Sequence, residues 1–332
     1  MKSVAIIALE KGRVGFQEQE IPDPGSNEIQ VRACASVISP GTERAFILNL
    51  ENTDPEYPQN LGYSCAGVVE KVGAEVKGFA EGDRVACIMF HKSIANISAE
   101  KAVIIPEDIS FRDAAFIRLG VICMQGIRKA GIELGEGVMV LGLGLIGQIV
   151  LQLACNSGAL EVIGVDRIES KLEMASGCGA DIVLNSSDRD WMQTLKSKTG
   201  GEGPDVVIES TGFPQPISWS FQSVRRFGRV VLLGSTRGDT TVNFYRDVHK
   251  KGIKVIGAHI SANPVYESYP NYWTFKDNGN CFLQLLKHKK INMEPLITEE
   301  VKWDKALNAY EKLLAWDNSA LATVILWGDD VL

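Results

Sequence analysis

The sequence predicts an α/β protein built from a barrel-like β domain and a doubly wound parallel sheet, and three features predict it. Residues 1 to about 125 carry short β-prone runs separated by turn signals. From about residue 126 the rhythm changes to alternating strand and helix. Within that second region a glycine-rich turn, Gly142-Leu-Gly-Leu-Ile-Gly147, joins an apolar strand to a helix.

In the first region the β-prone runs are Ser3–Ala8, Ile29–Ala35, Ala66–Val72 and Arg84–Met89. Pro22, Pro24 and Gly25, then Pro40-Gly41, Gly78 and Gly82-Asp83, supply the breaks between them, and such spacing suits a compact β barrel. In the second region strands fit Val138–Leu141, Leu160–Val165, Asp181–Leu184, Asp205–Glu209, Gly228–Leu233 and Ile253–Ala258. Helices fit Ile146–Cys155, Glu169–Ser176 and Trp191–Lys198 between them, so the region amounts to a full six-stranded doubly wound sheet. After about residue 266 comes an aromatic stretch holding Tyr266, Tyr269, Tyr272, Trp273 and Phe275, expected in core or interface more than as a platform for stacking sugars. A helix at Cys281–Lys289, the segment Pro295–Val301, a helix at Lys305–Ala315 and a strand at Leu321–Leu326 follow, and this tail is expected to pack back on the first domain. The domains are therefore read as 1–125, 126–265 and 266–332.

The glycine turn makes three physical demands. Gly142 permits the tight turn out of the strand, Gly144 lets a pyrophosphate approach the backbone, and Gly147 lets helix and strand pack closely. The amides of Leu145 and Ile146 open the helix, whose N-terminus offers N–H groups and partial positive charge to phosphates. Asp166 ends the next strand, where a carboxylate accepts bonds from ribose hydroxyls and repels an added 2′-phosphate. The expected cofactor is NAD rather than NADP. Arg167 and Lys171 follow the acid; Ser210, Thr211 and Gly212, then Gly234 and Ser235, then Ala258 and His259 close later strands, at whose carboxyl ends ligands of open sheets bind.

Composition narrows the field. A hydrophobic share of 45% with 23% charged residues is that of a soluble globular chain. A net charge of −7 argues against nucleic acid or an anionic membrane as the main partner. The N-terminal apolar run is interrupted by Glu10 and Lys11, too short for a signal peptide, and no stretch reads as a membrane span, so a cytoplasmic location is expected. Seven cysteines without a C-x-x-C pair suggest reduced thiols and no cysteine-rich zinc lobe.

The order of motifs resembles the medium-chain dehydrogenase/reductase family of the zinc alcohol dehydrogenase type. The carriers are Gly62-Tyr-Ser-Cys-Ala-Gly-Val-Val-Glu-Lys-Val-Gly73, Gly82-Asp-Arg-Val85, Arg128-Lys-Ala-Gly131 and the nucleotide turn, and the resemblance covers essentially the whole chain. It implies a GroES-like β domain fused to a Rossmann domain, an active site in the cleft between them, a small-molecule substrate and a homodimer. The run Ser39-Pro-Gly-Thr-Glu43 further resembles a subgroup that includes bacteriochlorophyllide-type and sugar or polyol dehydrogenases.

The departures from that family bear on chemistry. Where its first catalytic zinc ligand is the Cys of C-x-[ST]-[DE], this chain has Pro40-Gly-Thr-Glu43; its G-H-E is Gly62-Tyr63-Ser64, and its later ligand position holds Arg118. A proline, a phenol, a serine and a guanidinium do not make the anionic or imidazole set that zinc needs, so a metal-free member with no zinc is expected. A side chain must then take the hydroxyl proton. Tyr63, standing in the ligand-His position, is the first candidate, weighed against a phenol merely packed in the wall. Thr42 matches the family's proton-relay hydroxyl or is a simple turn hydroxyl. Glu43 is read as orienting its neighbours, chiefly as a buried ion pair with Arg118. His91 titrates in the useful range but is read first as a solvated loop histidine. His259 is read as cofactor contact or core; His249 and His288 look like surface residues.

These readings lead to an NAD-dependent, zinc-independent dehydrogenase acting on a secondary alcohol, a polyol or sugar derivative. Its rivals are a quinone or enone reductase, an isomerase or lyase that retains NAD, and a nucleotide-sensing module without turnover.

Overall fold

The computed structural model of the protein describes residues 2–317 and 320–328, and the counts that follow are of those residues. The chain divides into two compact units, one formed by residues 1–121 and 275–332, the other by 122–274. The expected divisions at 125/126 and 265/266 thus fall at 121/122 and 274/275, and the aromatic stretch lies in the second unit up to Thr274.

In the second unit six parallel strands run in the order Ile182–Asn185, Glu161–Asp166, Gly137–Leu141, Val206–Glu209, Arg229–Leu232 and Lys254–Gly257. Val140 lies between Gly164 on one side and Ile208 on the other, so Gly137–Leu141 is central. Its residues Val138 to Leu141 are all buried, as they must be when helices cover both faces of a parallel sheet. The chain winds outward from this strand first to Glu161–Asp166 and later to Val206–Glu209 on the other side. Strand order therefore reverses there, and the crevice outside these carboxyl ends is where such sheets take ligands. One core cluster around Met139, Ile163, Val207 and Phe221 includes an edge-to-face pair, Trp191 and Trp219, with centroids 5.6 Å apart.

In the first unit the strand Glu28–Val37 pairs antiparallel with Cys65–Val72, with Ile94–Ser98 and with Ala322–Leu326, within a sheet of seven strands. A separate three-stranded sheet holds Lys2–Glu10, Arg13–Glu20 and Gln59–Asn60. The C-terminal segment is part of this unit: Val324 pairs with Val37, and Tyr310, on the helix Ala306–Leu314, is 1% exposed within the main core.

Two expectations about elements need correction. Pro40-Gly41 does not make a turn; it opens a helix, Pro40–Ile47. Proline suits the first helical position, where its fixed φ fits and its missing N–H is no loss, and the buried Glu43, Ala45 and Ile47 then anchor the helix. The helix expected at Cys281–Lys289 begins at Phe275. Its first residues are weak helix formers, yet a Cβ on Gly279 would lie 3.3 Å from Ile117 and 3.4 Å from Val103, so glycine lets the helix approach them, and Gly120 leaves room for the ring of Phe282. No helix among the described residues is long and apolar enough to cross a membrane.

Candidate functional site

The glycine turn in the second unit has the geometry its pattern demands. Gly142 has φ +93°, and a Cβ there would lie 2.6 Å from the Thr211 side chain. A Cβ on Gly147 would lie 1.9 Å from the Gly142 carbonyl oxygen, so only glycine lets helix and strand approach this closely. At Gly144 a Cβ would meet nothing within 4 Å, and Gly144 begins the helix Leu145–Asn156 without a side-chain cap. That is a cradle of the right kind for a pyrophosphate: open space beside the first helical amides. Asp166 is held at both oxygens, accepting from Leu143 N–H at 2.7 Å, Arg167 N–H at 2.7 Å and Ile168 N–H at 3.1 Å. Its carboxylate thereby ties the glycine turn to the end of the second strand. These residues fit a dinucleotide.

The later strand ends frame the same crevice. Ser210 donates to the Gly142 carbonyl at 2.7 Å, and Thr211 donates its N–H to Glu209 at 2.7 Å. Burial pushes the Glu209 carboxyl up, against the pull of its bonds with Thr211. Gly212 has φ +74°, and a Cβ on Gly234 would lie 2.7 Å from its N–H, so these two strand ends also pack backbone to backbone. Ser235 and Arg167 are exposed, Lys171 is half-buried and Ala258 is buried. The core reading of His259 is corrected: the residue is exposed and its Nδ1 lies 2.7 Å from Ser261 Oγ, capping the short turn Ile260–Ala262. Tyr266, at 97% exposure, and Tyr269, stacked on Tyr272, are likewise no part of the core.

In the first unit Tyr63, Thr42, Glu43, His91 and Arg118 come together. Tyr63 donates its hydroxyl to Ser39 Oγ at 2.5 Å and also bonds Thr42. Ser39 begins the helix Pro40–Ile47, but its hydroxyl does not cap the helix and is free to receive the phenol. Burial pushes the Tyr63 phenol above its ordinary value; the Ser39 and Thr42 hydroxyls pull it down, Glu43 pushes it up, and the Arg118 guanidinium pulls it down. Burial in turn lowers Arg118, against the stabilising effect of Tyr63. Ser64 sets the spacing of the two side chains, since its buried hydroxyl donates to Ala115 O at 2.6 Å and accepts from Arg118 N–H at 3.0 Å.

Glu43 and His91 differ from their expected settings. Glu43 is 3% exposed and pairs not with Arg118 but with two donors, Ser39 N–H at 2.7 Å and the Tyr310 hydroxyl at 2.5 Å, with His91 Nε2 at 3.4 Å from its carboxylate. The helix places Glu43 one turn past Ser39, so its carboxylate reaches back to the orphan N–H there, leaving Arg118 to Tyr63. His91 is no solvated loop residue; it is 0% exposed, with Nδ1 2.8 Å from Ser36 Oγ. Gly62 makes that burial feasible, because a Cβ there would stand 2.4 Å from the imidazole. Ser36 also accepts from the Trp327 indole at 2.8 Å. Sequence reasoning did not find Ser36, Ser39, Tyr310 or Trp327. Only Ser39 had a local mark, a serine directly before a proline at a helix start.

At the positions that the resemblance matches to zinc ligands, the side chains are poor zinc donors. The three positions matched to ligands carry Pro40, Tyr63 and Arg118, none of which offers a thiolate, imidazole or carboxylate. Among the described residues no group of three or more His, Cys, Asp or Glu side chains is arranged to hold a metal ion.

Residues 24–103 match the model of the alcohol dehydrogenase GroES-like domain, and residues 146–277 that of zinc-binding dehydrogenases. The sorbitol dehydrogenase of Homo sapiens is 27% identical over 93% of this chain and 92% of its own length. The D-guloside 3-dehydrogenase of Escherichia coli (strain K12) is 29% identical over 75% of this chain and 72% of its own. The crystal structure of galactitol-1-phosphate dehydrogenase from Escherichia coli superposes with a TM-score of 0.86 at 21% identity, covering 98% of this chain and 100% of that one. With both domain models matched in order and relatives aligned along nearly the full chain, the protein belongs to the zinc-type medium-chain dehydrogenase/reductase family of enzymes.

Proposed function

We propose that this enzyme is an NAD-dependent dehydrogenase interconverting a secondary alcohol of the polyol or sugar-derivative kind and its ketone, with Tyr63 in place of a metal for the proton. The observation that carries the reading is the Tyr63 phenol, bonded to Ser39 and Thr42 and balanced between Arg118 and Glu43, at a position matched to a zinc ligand. The sorbitol and guloside dehydrogenase relatives support the substrate class. Bound NAD supplies the hydride acceptor, and NADH the donor in reverse. With its phenol raised by burial, Tyr63 keeps its proton at neutral pH. It therefore acts as general acid, giving its proton to the ketone oxygen as the carbon receives hydride. Ser39 and Thr42 then hold the phenolate by hydrogen bonds, and Arg118 opposes its charge. In the oxidative direction the same phenolate takes the alcohol proton, so oxidation gains as pH rises.

The preference for NAD over NADP rests on Asp166, and a homodimer in the cytoplasm completes the reading. The test is turnover of a polyol and sugar panel with NAD and with NADP, on protein whose zinc per chain is measured by mass spectrometry before and after chelation. NAD-linked turnover that survives removal of all zinc is expected. One tightly held zinc per chain whose removal abolishes turnover would defeat the metal-independent mechanism.

A further inference from the structure

Resting on the assignment of the proton to Tyr63, we infer that Tyr310 and His91 are positioning residues: they hold Glu43 as a buried acceptor that fixes Ser39 beneath the Tyr63 hydroxyl.

Glu43 is the terminus of a chain of donors. The Trp327 indole has only an N–H, so it donates to Ser36 Oγ. The Ser36 hydroxyl then needs an acceptor, and among the described residues His91 Nδ1 at 2.8 Å is the one it has. That sets the imidazole as the Nε2–H tautomer, with Nε2 facing the Glu43 carboxylate at 3.4 Å. From the other side Tyr310, which is 1% exposed, donates to Oε2, and Ser39 N–H donates to Oε1. A buried carboxylate requires such donors at both oxygens. Nothing local brings these groups together: Tyr310 reaches Glu43 across 267 positions and Trp327 reaches Ser36 across 291.

The consequence falls on Ser39. Glu43 takes its backbone N–H, so the first turn of the helix is secured without the Ser39 hydroxyl. That hydroxyl is left to Tyr63 at 2.5 Å. Charged and titratable groups facing Tyr63 are Glu43 and Arg118; those facing Glu43 are His91, Tyr310 and Tyr63. Loss of the Tyr310 donor lets the carboxylate and Ser39 drift, and small misplacements of a proton partner are costly to rate.

The experiment is reduction of a ketone substrate by NADH, followed against pH in wild type and in Tyr310→Phe, Glu43→Gln and Tyr63→Phe. Tyr310→Phe is expected to lower kcat about 10-fold with KM little changed. Glu43→Gln is expected to move the alkaline limb to lower pH, because the charge opposing Tyr63 ionisation is gone. Nitrogen NMR of the wild type, which needs no variant to fold, is expected to find His91 as the Nε2–H tautomer. Wild-type kcat and pH limb in both Tyr310→Phe and Glu43→Gln, with Tyr63→Phe inactive, would overturn this inference alone; an Nδ1–H tautomer would do the same. Full activity in Tyr63→Phe would overturn the function itself.

Discussion

Replacing Asp166 by alanine should reverse the cofactor preference. Its carboxylate cannot swing aside, since the amides of Leu143, Arg167 and Ile168 grip both oxygens. A 2′-phosphate on the adenosine ribose must therefore approach it. At about 5 Å and an effective dielectric constant of about 40, two unit charges repel by about 1.7 kcal/mol. A phosphate of roughly −1.5 to −2 raises that to about 3 kcal/mol, a preference for NAD of about 100-fold. Asp166→Ala removes the repulsion and leaves the exposed, cationic Arg167 next in the chain. It also removes an acceptor for the ribose hydroxyls, which should weaken NAD itself by about 1.5–3 kcal/mol, roughly 10- to 100-fold. Dissociation constants for NAD and NADP by fluorescence titration, with kcat/KM for each, measure both effects. A wild type that binds NADP as well as NAD, or a variant whose NAD/NADP ratio shifts less than about 3-fold, would rule out repulsion by Asp166.

Two further predictions concern stability. Tyr63 and Tyr310 both lie above the ordinary tyrosine value of 10.0, chiefly through burial, so the folded state keeps protons that the unfolded chain releases. Their stabilisation is complete below about pH 10 and is lost as pH climbs beyond it, each group contributing a slope of about 1.4 kcal/mol per pH unit. Urea unfolding of Tyr310→Phe should show a shallower alkaline decline than wild type by one such group; an equal slope would contradict the assignment. Gly62→Ala should cost about 2–5 kcal/mol, from positive-φ strain plus overpacking of the His91 ring. Gly12→Ala, at φ +78° with nothing within 4 Å, should cost only about 1–2 kcal/mol, the strain without the clash.

The cofactor unit was the legible part of this sequence because its signals are local. A strand, three glycines, a helix and an acid within thirty or so residues each follow from backbone geometry, and their structural settings can be traced residue by residue. The helix Pro40–Ile47 was hidden by the ambiguity of Pro-Gly, which serves a turn as well as a first helical turn. Phe275–Asn280 was obscured for a different reason: Asn-Gly-Asn is poor helix material, chosen for close packing on the neighbouring elements. Around Tyr63 the candidate side chains were visible, but their partners were not. His91 reads as a loop residue until Gly62 and Ser36 are seen to enclose it, and no sequence pattern couples Glu43 to Tyr310.

The role of Tyr63 is tested most directly by Tyr63→Phe, assayed for ketone reduction alongside NADH binding. The phenyl ring preserves the packing and removes only the hydroxyl and its bonds to Ser39 and Thr42. A fall in kcat of about 100-fold or more with NADH affinity unchanged is expected. A variant that turns over at the wild-type rate would contradict that role.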